Sequence, residues 1–210
     1  MKVLFATKCW GGDWQKFLAG AFERKVPDYP LCEKWLLINN SVPPKVKFKV
    51  DKTIRVEDYA ERALNFFNLK ESDFKGGYVY SIAELVCLYL AKDFDYLVWI
   101  QGDVMVDGKW VKKALQILRK KHYIAVVSPS SEVNTYHDEL GLDQEFSDQC
   151  FVVRVREFRQ QIYNYKSPNQ KNYPDYGGHS FEYKCGQYLK NNNKFRKILT
   201  CAWAHHPAYD

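Results

Sequence analysis

No stretch of the sequence is apolar over the ~18 residues that a membrane-spanning helix needs, so no membrane insertion is expected. There is no CxxC pair either. The six cysteines, Cys9, Cys32, Cys87, Cys150, Cys185 and Cys201, are widely spaced, which argues against a zinc site and a redox dithiol. Most lie in apolar segments, where a free cysteine acts as a small hydrophobe, and a reducing cytosol is their simplest setting. The short apolar run at Met1–Thr7 is followed by no signal-peptide cleavage pattern, so the expected location is cytoplasmic. GxGxxG is absent, and with it the usual dinucleotide fingerprint. Internal repeats and low-complexity tracts are absent as well. What is present is a chain of 210 residues, 46% hydrophobic and 16% aromatic, enough for one globular domain (1–210) with a full core.

Net charge is also missing from most of the chain. Residues 1–150 carry 21 Lys and Arg against 21 Asp and Glu, whereas residues 151–210 carry 10 against 4. The whole formal charge of +6 therefore lies in the last 60 residues. A basic surface there attracts an anionic partner and speeds its arrival.

Tyr96 to Ile100 are apolar or aromatic without a polar break, the pattern of a strand buried on both faces in a parallel sheet. The run stops on Gln101-Gly102-Asp103. A carboxylate at the C-terminal end of such a strand lies where open α/β sheets bind ligands. Gly102 lets a bulky group approach the backbone. Hard cations such as Mg²⁺ or Mn²⁺ take oxygen ligands and hold nucleotide phosphates beside a carboxylate. Asp103 is therefore the candidate metal ligand, beneath a nucleotide diphosphate.

Further strands are predicted at Lys2–Thr7, Trp35–Ile38, Val46–Val50, Tyr123–Val127, Cys150–Val155 and Ile198–Trp203. Helices are predicted at Gln15–Lys25, Glu57–Asn68, Lys109–Lys121 and Glu157–Tyr165, with another opening at His179–Glu182 and running to about Lys190. Glu57 and Asp58 suit the first turn of theirs. Ser81 and Glu84 have capping-box spacing ahead of Ile82, Leu85, Val86, Tyr89 and Leu90, which share one helix face. Strands alternating with helices make an α/β chain with a mainly parallel sheet. Trp10 and Gly11-Gly12, after the first strand, form a loop that can approach a ligand and stack on a base or sugar. Asn39-Asn40-Ser41 ends the second strand with groups able to bond a base or ribose, or simply to form a turn. Residues 132–149 read as irregular, and residues 166–178, rich in Pro, Gly, Asn and Tyr, read as a mobile loop of the kind that covers active sites.

The order of these parts resembles nucleotide-sugar glycosyltransferases of the GT-A fold. Asn39-Asn40-Ser41 looks like that family's base- and ribose-binding turn, which usually carries Asp. The run from Gly76-Gly77 through the Ser81 helix to Gln101-Gly102-Asp103 is similar to its passage from donor helix to metal motif. That motif is normally Asp-x-Asp, and here Gln101 replaces the first acid. Phe181-Glu182 resembles the start of the acidic helix that supplies a base in inverting members, with Phe181 in place of the preceding acid. Ala204-His205 fits the metal-binding histidine after a late strand, with His206 its neighbour.

The resemblance implies a single-domain GT-A, Rossmann-like fold. Residues 1–127 would bind the nucleotide sugar, and residues 128–210 would form an α+β acceptor side. Thr7, Trp10, Gly11, Asn39, Asn40, Gln101 and Gly102 would contact the donor. Asp103 and His205 would hold Mn²⁺ or Mg²⁺, and Glu182 would be the catalytic base. His179, Arg154, Arg156 and Tyr176 would meet the acceptor. A metal so held neutralises the departing diphosphate, and a carboxylate beside a mobile loop can take the acceptor's proton.

In its compactness the chain is also similar to phage enzymes that glycosylate hydroxymethylated bases in DNA. That implies DNA as acceptor, with a flipped-out base and a host-cell cytoplasmic location. The basic residues Arg154, Arg156, Arg159, Lys184, Lys190 and Lys194 would then face phosphates. Polysaccharide, lipid or protein acceptors are the alternatives within the same class. Outside it stand a nucleotidyltransferase, whose basic Gly-rich loop is not matched by Trp10-Gly11-Gly12-Asp13, and a non-catalytic nucleic-acid-binding module, suggested by charge alone.

Overall fold

The computed structural model describes residues 1–10, 32–39, 50–74, 78–102, 104–107, 110–131, 140–147, 149–164 and 180–205. Among these residues nine strands form one sheet: β1 (Val3–Trp10), β2 (Cys32–Asn39), β3 (Lys52–Arg55), β4 (Tyr96–Gln101), β5 (Met105–Asp107), β6 (Ile124–Ser131), β7 (Leu142–Asp143), β8 (Cys150–Arg154) and β9 (Phe195–His205). Their order is β3-β2-β1-β4-β8-β6-β9-β5, with β7 on the same side of β9 as β5. Strands β1 to β4, β6 and β9 run one way, and β8, β5 and β7 oppose them. The fold is α/β with a mainly parallel sheet flanked by helices.

Alternation along the strands gives the sheet two cores, because successive side chains point to opposite faces. Leu4, Ala6, Leu37, Leu97, Trp99, Phe151 and Val153 face one side. There they are covered by α1 (Ala60–Phe66), α2 (Tyr78–Leu90), α4 (Val155–Asn164) and α5 (Ser180–Asn191). Val3, Phe5, Val98, Ile100 and Val152 face the other side, against Val111, Ala114, Leu115 and Leu118 of α3 (Val111–Lys120). β4 is thus buried on both faces, as its unbroken apolar run requires.

Several local expectations are corrected. The third strand is Lys52–Arg55; Val50 lies outside it, and residues 46–49 are outside the described residues, as is the helix expected at 15–25. Glu57 and Asp58 precede α1, whose first turn carries Glu61 instead. Ser81 and Glu84 do not form a capping box, since α2 starts at Tyr78 and both lie buried within it. Two short strands, β5 and β7, were not expected. Both are too brief to show a period and are held by pairing with β9.

Candidate functional site

After β1 the chain continues to β2 on one side, while β4 pairs with β1 on the other. This divergence is a topological switch point, and open α/β sheets bind ligands beyond the C-terminal ends of the strands there. Lys8 is level with Leu37 of β2 and Gln101 of β4, and Trp10 is level with Asn39. Lys8 follows Leu4 and Ala6 in alternation, Asn39 follows Trp35 and Leu37, and Gln101 follows Leu97 and Trp99. All three polar residues therefore leave the sheet on the face covered by α2 and α5.

Those helices add two carboxylates. The Lys8 ammonium donates to Glu84 Oε1 at 2.7 Å, with Lys8 8% and Glu84 1% exposed. Burial pushes the Glu84 carboxyl above its ordinary value, Lys8 pulls it back, and the Glu182 carboxylate nearby pushes it up again. Glu182 is half-buried in the first turn of α5, on the stripe that continues through Cys185 and Leu189 into the core. Among the described residues, Glu84 Oε2 and Ser81 Oγ one turn earlier are buried without a hydrogen-bond partner. Unmet buried groups cost roughly 1–3 kcal/mol each.

The arrangement thus brings together Asn39, Gln101 and Glu182, with the Gly102 backbone just past β4, from the residues expected to form a site; Thr7 alternates with Val3 and Phe5 and leaves β1 on the opposite face. It adds Lys8 and Glu84, which the sequence reading missed. The available signal was a single acid inside the apolar run Ile82–Leu88, and a lysine directly after the apolar stretch Val3–Ala6 and Thr7. The backbone of Trp10 ends β1. Gly11, Asn40, Asp103, Tyr176, His179 and His206 lie outside the described residues. His205 is the last residue of β9 and pairs with Met105, which is two positions beyond Asp103 in the chain. Among the described residues no group of three or more His, Cys, Asp or Glu is placed to hold a metal.

Arg154 and Arg156 are elsewhere. β8 runs antiparallel to β4, so Cys150 is level with Ile100 while Arg154 is level with Tyr96, at the start of β4. At a rise of about 3.3 Å per residue, that is roughly 17 Å from Gln101. The Arg154 guanidinium donates to the carbonyls of Leu118, Lys121 and Ile124 and to Glu157, fastening the end of α3. Arg156 follows it at the same edge of the sheet. Three further cations expected to face DNA are also engaged. Arg159 donates to the carbonyls of Leu88 and Tyr89, Lys190 pairs with Glu145 at 3.3 Å, and Lys194 pairs with Glu157 at 3.3 Å and donates to the His122 carbonyl.

A mainly parallel sheet flanked by helices, with polar groups and a buried ion pair at its switch point, defines an α/β protein of GT-A-like, Rossmann-like fold. A structure of GalNAc-T7 with UDP, GalNAc and Mn²⁺ is similar, with a TM-score of 0.59 and 10% identity. The similarity covers 98% of this chain and 43% of that one, so this chain spans under half the length of that protein. A structure of A197 from STIV gives a TM-score of 0.49 and 15% identity over 98% of this chain and 85% of that one. No family model and no curated protein matches the sequence. Among the described residues no helix is long and apolar enough to cross a membrane.

Proposed function

We propose that the chain is a metal-dependent glycosyltransferase that moves a sugar from a nucleotide-sugar donor to an acceptor hydroxyl. The observation that carries this reading is the gathering of Lys8, Asn39, Gln101, Glu84 and Glu182 on one face of the β1/β4 switch point. It is supported by the GT-A-like fold and by a structural neighbour that is itself seen with UDP, GalNAc and Mn²⁺. In this reading residues 1–127 serve the donor, through Thr7, Trp10, Gly11, Asn39, Asn40, Gln101 and Gly102. Residues 128–210 serve the acceptor.

Asp103 and His205 are the proposed metal ligands. A carboxylate and an imidazole suit Mn²⁺, and the pairing of His205 with Met105 supports their sharing a site. The cation, when bound, stabilises charge on the departing diphosphate. Glu182 accepts the proton of the acceptor hydroxyl if the reaction inverts the sugar, and binds the acceptor if it retains it. His179 and Tyr176 are proposed acceptor contacts. Arg154 and Arg156 are not, because they stand at the opposite edge, and they give the reading of DNA as acceptor no support.

A thermal-shift panel of nucleoside diphosphates and nucleotide sugars, each with and without Mn²⁺, tests the proposal. A donor at 100 times its Kd adds about 2.7 kcal/mol, or about 5–11 °C for a chain of this size. A metal-dependent shift with one nucleotide family is the expected result. A flat panel with every nucleotide and nucleotide sugar, in either metal condition, would overturn it.

A further inference from the structure

The edge of the sheet opposite the switch point carries an open groove of about 1330 Å³, independent of the proposed donor site. Its floor is rigid because two arginines are already spent. Arg154 is tied to the end of α3, and Arg159 to the last carbonyls of α2, with its guanidinium 4.7 Å from the Phe66 ring centre. Phe94 and Tyr96 add aromatic surface. Burial pushes the Tyr96 phenol up, and the Arg154 and Arg119 guanidiniums pull it back, which puts both cations within electrostatic reach of that hydroxyl.

The charges do not cancel. Arg154 pairs with Glu157, and the amino terminus pairs with Asp95 at 3.7 Å. That leaves Lys92, Arg119, Arg156 and Arg159 against Asp93, four cations to one anion and a surplus of three among the described lining residues. Lys92, Arg119 and Arg156 are exposed at the rim. Guanidiniums bind phosphate oxygens two at a time, and a pre-formed floor lowers the entropic cost of holding a ligand. The volume exceeds what a single phosphate needs and suits a larger ligand.

We propose that this groove is a second ligand site, for a compact polyanion bearing several phosphates, gripped by Arg119 and Arg156 with Lys92 at the rim. The same chemistry is offered by a free oligophosphate and by a phosphorylated lipid headgroup, so two probes are needed. Inorganic tripolyphosphate is titrated calorimetrically into the full chain at low ionic strength. Vesicles of phosphatidylcholine, with and without a phosphoinositide, are tested by co-sedimentation.

The expected result is saturable binding of at least one probe. It should weaken at least about tenfold in R119Q/R156Q, since two charge-assisted bonds are lost. It should stay within about twofold in K52Q/K112Q, which removes the same charge from exposed lysines outside the groove. Tripolyphosphate binding assigns a free ligand, and binding only to phosphoinositide vesicles assigns a headgroup. R119A/R156A, checked for an unchanged melting midpoint, guards against misfolding of the first variant. No binding of either probe, or equal weakening in the two charge-matched variants, would overturn the site.

Discussion

Lys8→Met is the perturbation with the most to reveal, because it breaks a pair whose burial is complete on one side. Lys8 Nζ and Glu84 Oε1 are 2.7 Å apart, and Glu84 is 1% exposed. An exposed pair at this distance contributes only about 0–1 kcal/mol. Removing one partner of a buried pair costs roughly 3–5 kcal/mol, because the remaining charge has lost its compensation. For a chain of 150–250 residues that lowers the melting midpoint by about 6–20 °C.

The loss also depends on pH in a definite direction. The Glu84 carboxyl is raised in the folded chain above its ordinary 4.5, so as pH rises the unfolded chain gives up this proton first. Its contribution to stability is present below the ordinary value and is lost as pH climbs through the folded value. Lys8→Met removes both influences of Lys8 that lower the folded value, so the loss extends further upward. The deficit of the variant should therefore be largest near neutrality and shrink towards pH 4.5. Urea titrations of parent and variant at both pH values measure it. K8M/E84M should recover to within about 1 kcal/mol of the parent, since apolar replacement of a whole buried pair is often neutral. A deficit under about 1 kcal/mol, a deficit equal at both pH values, or a double variant no better than the single one would refute the reasoning.

Asp103→Asn should abolish the metal-dependent part of nucleotide stabilisation while leaving the apo melting midpoint unchanged, and His205→Ala should weaken the same binding; an intact Mn²⁺ effect in the first would take Asp103 out of the site. Glu182→Gln should slow turnover by ~10² to 10⁴-fold with donor affinity retained, because the amide keeps the shape and loses the proton acceptor; a rate within a few-fold of the parent would point to retention of the anomeric centre. Arg154→Met should cost about 2–5 kcal/mol in a urea titration, by stranding the carbonyls of Leu118, Lys121 and Ile124 and leaving Glu157 with Lys194 as its remaining cation. Donor affinity should not change, and a loss below about 1 kcal/mol would mean that these bonds are replaced by water.

The fold was legible where burial writes a period into the sequence. β4 has an unbroken apolar run because both of its faces meet a core, and α3 shows Val111, Ala114, Leu115 and Leu118 because only one of its faces does. Boundaries were less legible. α2 begins three residues before Ser81 because a helix buried on nearly every side, as Ser81 to Leu88 are, has no polar face to mark its start. Of the residues gathered at the candidate site, Gln101, Asn39 and Glu182 were legible, because their types stand out at the ends of elements. Its centre was not. Lys8 and Glu84 are 76 positions apart, and only the packing of α2 across the end of β1 makes them a pair.

The basic surplus was misread for a reason that lies in topology. A count of lysines and arginines along residues 151–210 gives charge without direction. Had β8 run parallel to β4, Arg154 at its end would have stood beside Gln101, at the ligand edge. Instead β8 enters between β4 and β6 in the opposite sense. Its end is therefore at the foot of β4, and α4 begins at the very next residue. Reversing one strand moves Arg154 and Arg156 by the length of that strand, from one edge of the sheet to the other. Hydrophobic periodicity cannot report that reversal, because β8 shows the same buried pattern in either direction, with Phe151 and Val153 against one core and Cys150 and Val152 against the other.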